Sequence, residues 1–128
     1  MTPFEKVVAS ELAMLLSAGV PARAVRLTVR EMVVARLERG PLGAQEVGDA
    51  VEAAVRAACR LVQELGAPDE TVETVCRAAL EAVRGHGGQS ARWLPEAKSA
   101  AYVVLDDLAR ERAETLTWRG VARRLERW

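Results

Sequence analysis

The side chains best suited to nucleophilic or metal chemistry are few: the cysteines Cys59 and Cys76 and a single histidine, His86. Metal sites place such residues in close pairs, as in CxxC or HxxxH, because one element must bring two ligands to one ion. None of the three has such a neighbour. We therefore expect no metal and no cofactor, and we expect both cysteines to be buried, reduced thiols.

Other arrangements that could support catalysis are also missing from the sequence. The sequence has no GxSxG motif, which would hold a nucleophilic serine in an exposed turn. The glycines around His86 are not followed by GK[ST], so we do not expect them to form a phosphate-binding loop. Asp106 and Asp107 are adjacent, which places them about 100° apart on a helix, so they cannot hold one ion together. We interpret these two carboxylates as part of a solvated face and expect that the protein is not an enzyme.

Composition narrows the class of protein further. The chain has 128 residues, of which 50% are hydrophobic, and its 18 basic residues balance 18 acidic ones. This size suits one domain over residues 1–128 that can bury a core, and the zero net charge favours neither nucleic acid nor a membrane. No apolar run is long enough to span a bilayer and no signal-peptide pattern is present, so we expect a cytoplasmic protein.

Apolar residues recur at three- and four-residue intervals between turn signals, which predicts helices, and no alternating pattern predicts a strand. Thr2 before Pro3 and Glu5 is a helix-start signal, and Gly19 is a helix-end signal. The predicted helices cover about 3–18, 22–38, 45–65, 69–84, 95–116 and 118–127, with a glycine-rich loop at 85–90. The expected fold is all-α, a compact antiparallel bundle of five to six helices.

The second predicted helix has apolar residues on two faces rather than one. One stripe contains Val25, Val29, Met32 and Val33; the other contains Leu27, Val34 and Leu37, beside Arg23, Arg26 and Arg30. A helix on the surface of a bundle needs only one apolar stripe. Two interpretations remain open: either this helix is central in the bundle, or its second face is covered by another protein chain.

The last predicted helix is the most clearly amphipathic segment. Its apolar side contains Trp118, Val121, Leu125 and Trp128, and its other side is rich in arginine. Such a stripe most often packs on its own bundle, but it also suits the groove of a partner protein or, less well, a membrane interface.

These patterns indicate a non-enzymatic module that binds protein. The partner that we expect first is a second copy of the chain, in a homodimer. The candidate interface residues are Arg23, Leu27, Arg30, Val34, Leu37, Trp118, Val121, Leu125 and Trp128. The alternative is a DNA-binding regulator, because the first two helices and their short turn resemble a helix-turn-helix. Nucleic acid is therefore a second, less favoured partner.

Overall fold

The structure is a computed structural model that describes residues 2–40, 43–85, 91–111 and 116–126. In these ranges six α-helices occur and no strand, so the all-α fold is confirmed. The helices are α1 (Pro3–Ser17), α2 (Ala22–Leu37), α3 (Ala44–Leu65), α4 (Glu70–Gly85), α5 (Leu94–Glu111) and α6 (Leu116–Glu126). A 3-10 turn, Ala91–Trp93, leads into α5. The predicted ends of the first four helices differ from these by one residue at most.

Local signals at both ends of α1 act as the sequence predicts. The backbone N–H of Glu5 donates to the hydroxyl of Thr2 at 3.1 Å, and Pro3 occupies the first helical position, where no N–H is needed. Beyond the last turn, Gly19 has φ +69°, a conformation that costs glycine little. The N–H groups of Gly19 and Val20 then donate to carbonyls of the last turn at 3.2 and 3.3 Å, which ends the helix.

The centre of the bundle is α3, which packs against α1, α2, α4 and α5. Gly66, with φ +67°, ends α3, and the short turn that follows returns the chain along α4. The first helix packs chiefly on α3, whereas α2 packs chiefly on α4. In the C-terminal part of the chain, α5 packs on α3 and α6 packs on α5. Each helix of the α3–α4 pair is thus covered by helices from both ends of the chain.

Small side chains allow these helices to approach closely. The largest fully buried side chains are three leucines, Leu12, Leu80 and Leu105, together with valines. The rest of the core is rich in alanine: Ala50, Ala53, Ala54, Ala57, Ala58, Ala78, Ala79, Ala82, Ala97, Ala101 and Ala122 are all buried. Close helix contact through small residues therefore supplies much of the packing in place of large aromatic side chains.

None of the helices in the described ranges combines the length and the apolar character that crossing a bilayer requires.

Candidate protein-contact surface

The second helix buries one stripe and leaves its other side open. Val25, Val29 and Val33 lie in the core, and they face mainly α4. One interpretation of the sequence placed α2 at the centre of the bundle. The structure places α3 there instead, and α3 is buried around most of its circumference. The second apolar stripe of α2 therefore has no complete cover within the described part of the chain.

Leu37 does not belong to that open side. It is only 2% exposed and continues the buried stripe, although the sequence placed it among the candidate interface residues. Residues four apart advance by about 40° around a helix, so a stripe that follows this spacing winds slowly around the axis. By the end of α2 it has reached Leu37, which is a core residue.

We call Arg23, Leu27, Arg30 and Val34 the outer face of α2. Leu27 is 42% exposed, Val34 is half-buried against the core, and both arginines are exposed. At 100° per residue, these four side chains fall within about 60° of one another around the helix. The structure thus brings together four of the predicted interface residues as an apolar pair bordered by positive charge.

The third arginine of α2 has a different role. The guanidinium of Arg26 lies 3.7 Å from the carboxylate of Glu81 on α4, so it joins the two helices across their contact. No ion pair of Arg23 or Arg30 occurs among the described residues. The charges of the outer face are therefore available to groups outside the bundle.

Two acidic residues lie along the edge of the outer face of α2. Glu31 and Glu38 are both exposed, and Glu38 follows the last residue of α2. Arg23 lies in the first turn, where the partial positive charge of the helix end opposes it, and Glu38 lies at the negative end. Each placement costs about 0.3–1 kcal/mol at low salt, so the helix carries both charges where its own dipole disfavours them.

The described side chains on the apolar side of the last helix are covered by the bundle itself. Val121 is 1% exposed and Leu125 is 3% exposed, and α6 packs on α5. These two residues, predicted as candidate contacts, are instead part of the core, because a short amphipathic helix buries its apolar stripe on the nearest available surface. Trp128 lies outside the described residues, as does the side chain of Trp118.

Both cysteines are buried thiols in the described structure. Burial raises the pKa of Cys59 to about 12, an effect that the nearby Arg56 guanidinium only partly opposes. Burial raises the pKa of Cys76 as well, and the neighbouring Cys59 and Glu73 add to the increase. A thiol reacts as its thiolate, so neither side chain is prepared for nucleophilic chemistry at neutral pH.

An open groove of about 1420 Å³ runs along the polar side of α3, where the sequence gave no signal of a cavity. Its walls are the first turns of α1 and the end of α2. The carboxylate of Glu5, 7% exposed, lies 3.3 Å from Arg60, and Glu52 lies 3.0 Å from Arg56. These two ion pairs balance four of the charged side chains that line the groove with partners in the same chain. Glu5 and Arg60 are far apart in sequence, and no local pattern connects them.

The other residues considered for chemistry are dispersed. Asp106 pairs with Arg110 one turn later at 3.1 Å, and Asp107 is exposed. His86 and the rest of the glycine-rich segment 86–90 lie outside the described residues. In the ranges that the structure covers, no three His, Cys, Asp or Glu side chains come together in a group that could hold a metal ion.

Comparison of the chain with protein-family models, with curated proteins and with solved structures finds no match.

Proposed function

We propose that this chain is a non-enzymatic protein-binding module and that its contact surface is the outer face of α2. The observation that supports the proposal most directly is the 42% exposure of Leu27 beside two arginines that have no ion pair in the described structure. An apolar centre surrounded by charged groups is the usual arrangement of a protein interface, in which arginine is enriched.

The energy available from Leu27 shows that the surface must act as a whole. Complete burial of a leucine contributes about 1.5–3 kcal/mol, so covering its remaining exposed 42% contributes about 1 kcal/mol. This is too little for stable binding alone. Val34 and the two arginines must contribute further apolar contact and charge pairing, and the arginine stems can add apolar area while their guanidinium groups stay in water.

The DNA-binding alternative uses the same helix, but the acidic residues argue against it. Glu31 and Glu38 are exposed next to the outer face and would repel phosphates. Leu27 would also face the groove of the DNA. Binding through phosphates weakens steeply as salt increases, whereas an interface with an apolar centre weakens little.

Site-specific photocrosslinking in cells tests the proposal. A benzophenone amino acid replaces Leu27, and the matched control replaces Tyr102 on α5, which is also 42% exposed. We expect a discrete protein adduct from position 27 and none from position 102. The absence of any protein adduct at position 27, or an adduct to nucleic acid there, would refute the proposed function.

A further inference from the structure

We propose that the open groove along α3 binds an extended peptide segment of another protein, which places an acidic side chain against Arg36 and Arg39. This groove is separate from the outer face of α2, because Arg36 lies about 180° around the helix from Leu27 at 100° per residue. The inference therefore goes beyond the proposed function. It is carried by the length of the groove, its apolar lining and the charges that line it.

The dimensions of the groove suit a short stretch of extended chain. Its lining follows α3 from Asp49 to Glu64, which spans about 22 Å. An extended peptide advances about 3.3 Å per residue, so about six or seven residues match this length. The volume of about 1420 Å³ exceeds the ~300–1,000 Å³ typical of a small-molecule pocket, and the groove is open to solvent. A peptide is therefore a better match than a small ligand.

Apolar side chains from three helices line the groove. Phe4 and Val7 belong to α1, Met32 to α2 and Leu108 to α5. Val7 is 58% exposed, while the other three pack partly against the core and leave the rest of their surface to the groove. Apolar side chains of a bound peptide would remove this surface from water, which favours binding.

Two arginines supply positive charge that no described residue of the chain balances. Arg36 and Arg39 both line the groove, and neither forms an ion pair within the described ranges. Arg36 is half-buried, so part of its side chain is withdrawn from water while its charge has no counter-charge. A carboxylate is the group that suits such a pair, because the planar guanidinium can donate two parallel hydrogen bonds to it.

The acidic residues of the groove limit how much negative charge the peptide can carry. Glu5 and Glu52 are held in ion pairs with arginines of α3. Asp49 accepts a hydrogen bond from a neighbouring glutamine at 2.8 Å, and Glu64 is exposed. These last two carboxylates would repel a polyanion such as nucleic acid. The peptide therefore carries one or two acidic residues beside Arg36 rather than negative charge along its whole length.

Gln63 favours an extended peptide over a helical one. This residue is half-buried in the groove, and its carboxamide makes no hydrogen bond with a described residue. A helix pairs most of its backbone N–H and C=O groups internally, whereas an extended chain presents them to its surroundings. A carboxamide can both donate to and accept from such a backbone.

Selection from a phage-displayed library of random peptides of about seven residues tests the proposal, with the full chain as the target. We expect the recovered peptides to share an aspartate or a glutamate next to apolar residues. One of these peptides, labelled with fluorescein, then gives the dissociation constant of each variant by fluorescence anisotropy.

Charge reversal in the groove should weaken binding of this peptide. We expect Arg36→Glu and Arg39→Glu each to raise the dissociation constant about tenfold, because the carboxylate then meets a like charge. A peptide whose acidic residue is replaced by lysine should bind the wild type weakly and regain affinity for Arg36→Glu. The matched controls, Arg23→Glu and Arg30→Glu, make the same change on the outer face of α2 and should leave the dissociation constant unchanged. Circular dichroism checks that every variant is folded.

A selection that yields no recurring acidic sequence would overturn the proposal, as would a peptide whose affinity neither groove reversal changes. A peptide that loses affinity with Arg30→Glu instead binds the outer face of α2, which would overturn the groove proposal and leave the proposed function standing. Conversely, the absence of an adduct at position 27 in the photocrosslinking experiment would remove the proposed function without affecting the groove.

Discussion

Raising the pH above about 9 should weaken this fold through its two buried thiols. Cys59 has its pKa raised from 9.0 to about 12 in the folded chain because burial disfavours the thiolate. In the unfolded chain the same thiol is hydrated and ionises near pH 9. The folded state thus keeps a proton that the unfolded state releases, so stability is complete below pH 9 and decreases as the pH rises towards 12.

The size of the effect follows from the unfolded thiol. At pH 10 an unfolded thiol of pKa 9.0 is about nine-tenths ionised while folded Cys59 remains protonated, which lowers the free energy of unfolding by about 1.4 kcal/mol. Burial also raises the pKa of Cys76, so this thiol lowers the free energy of unfolding in the same direction as the pH rises. The contribution of Cys59 alone is already a noticeable fraction of the ~5–15 kcal/mol typical of a small domain.

The assay is urea unfolding followed by circular dichroism at about pH 7.5, 9 and 10, with a reducing agent present. The matched control is the double variant Cys59→Ala, Cys76→Ala. Its cavities lower stability by the same amount at each pH, so only the change with pH is compared. We expect the wild type to lose at least about 1.4 kcal/mol more than the variant between the lowest and the highest pH, which is the amount that Cys59 alone contributes.

Equal losses in the two proteins would refute this reasoning, since the pH dependence would then come from other groups. Thiol labelling gives a second check. Folded protein should react slowly with a disulfide reagent near pH 8, and protein in denaturant should react completely with two equivalents, one for each free cysteine. Rapid labelling of the folded chain would show that the thiols are accessible.

Two further predictions concern stability and are measured by the same unfolding assay. Gly48→Ala should raise the free energy of unfolding by about 0.5–1 kcal/mol, because its Cβ would lie 3.9 Å from that of Ala100, an ordinary contact. The matched change Gly66→Ala should lower it by about 1–2 kcal/mol, since φ is +67° there, and equal effects would contradict the argument. Arg60→Ala should cost about 1–3 kcal/mol, because it leaves the buried carboxylate of Glu5 without this partner. Adding Glu5→Gln should recover part of that loss, and no recovery would show that the ion pair is not responsible.

The parts of the fold that depend on local signals are predictable from the sequence. Thr2 and Gly19 each act within one turn of chain, so their hydrogen bonds and backbone angle follow from nearby residues alone. The helical repeat likewise identifies the buried stripe of α2 from Val25 to Val33. These features require no knowledge of what the helix packs against.

The candidate site was only partly predictable, because periodicity identifies residues that share a face but not what covers that face. Leu27 and Leu37 appear equivalent on that basis, yet one is 42% exposed and the other 2%. Val121 and Leu125 have the pattern of a contact surface and are covered by their own bundle. The pairing of Glu5 with Arg60 depends on how α1 packs on α3, which no local pattern specifies.

The alanine-rich core makes this protein unusual in what mutagenesis can reveal about it. A conventional alanine scan removes side-chain atoms, and it cannot change the eleven core positions of the described structure that are already alanine. Those positions lie on α3, α4, α5 and α6, where small side chains let the helices pack closely, and their stability responds only when atoms are added. An alanine scan would therefore show no effect at the positions that tolerate the fewest other residues. A library of enlarging substitutions, to serine, valine or leucine, is the experiment that would map them.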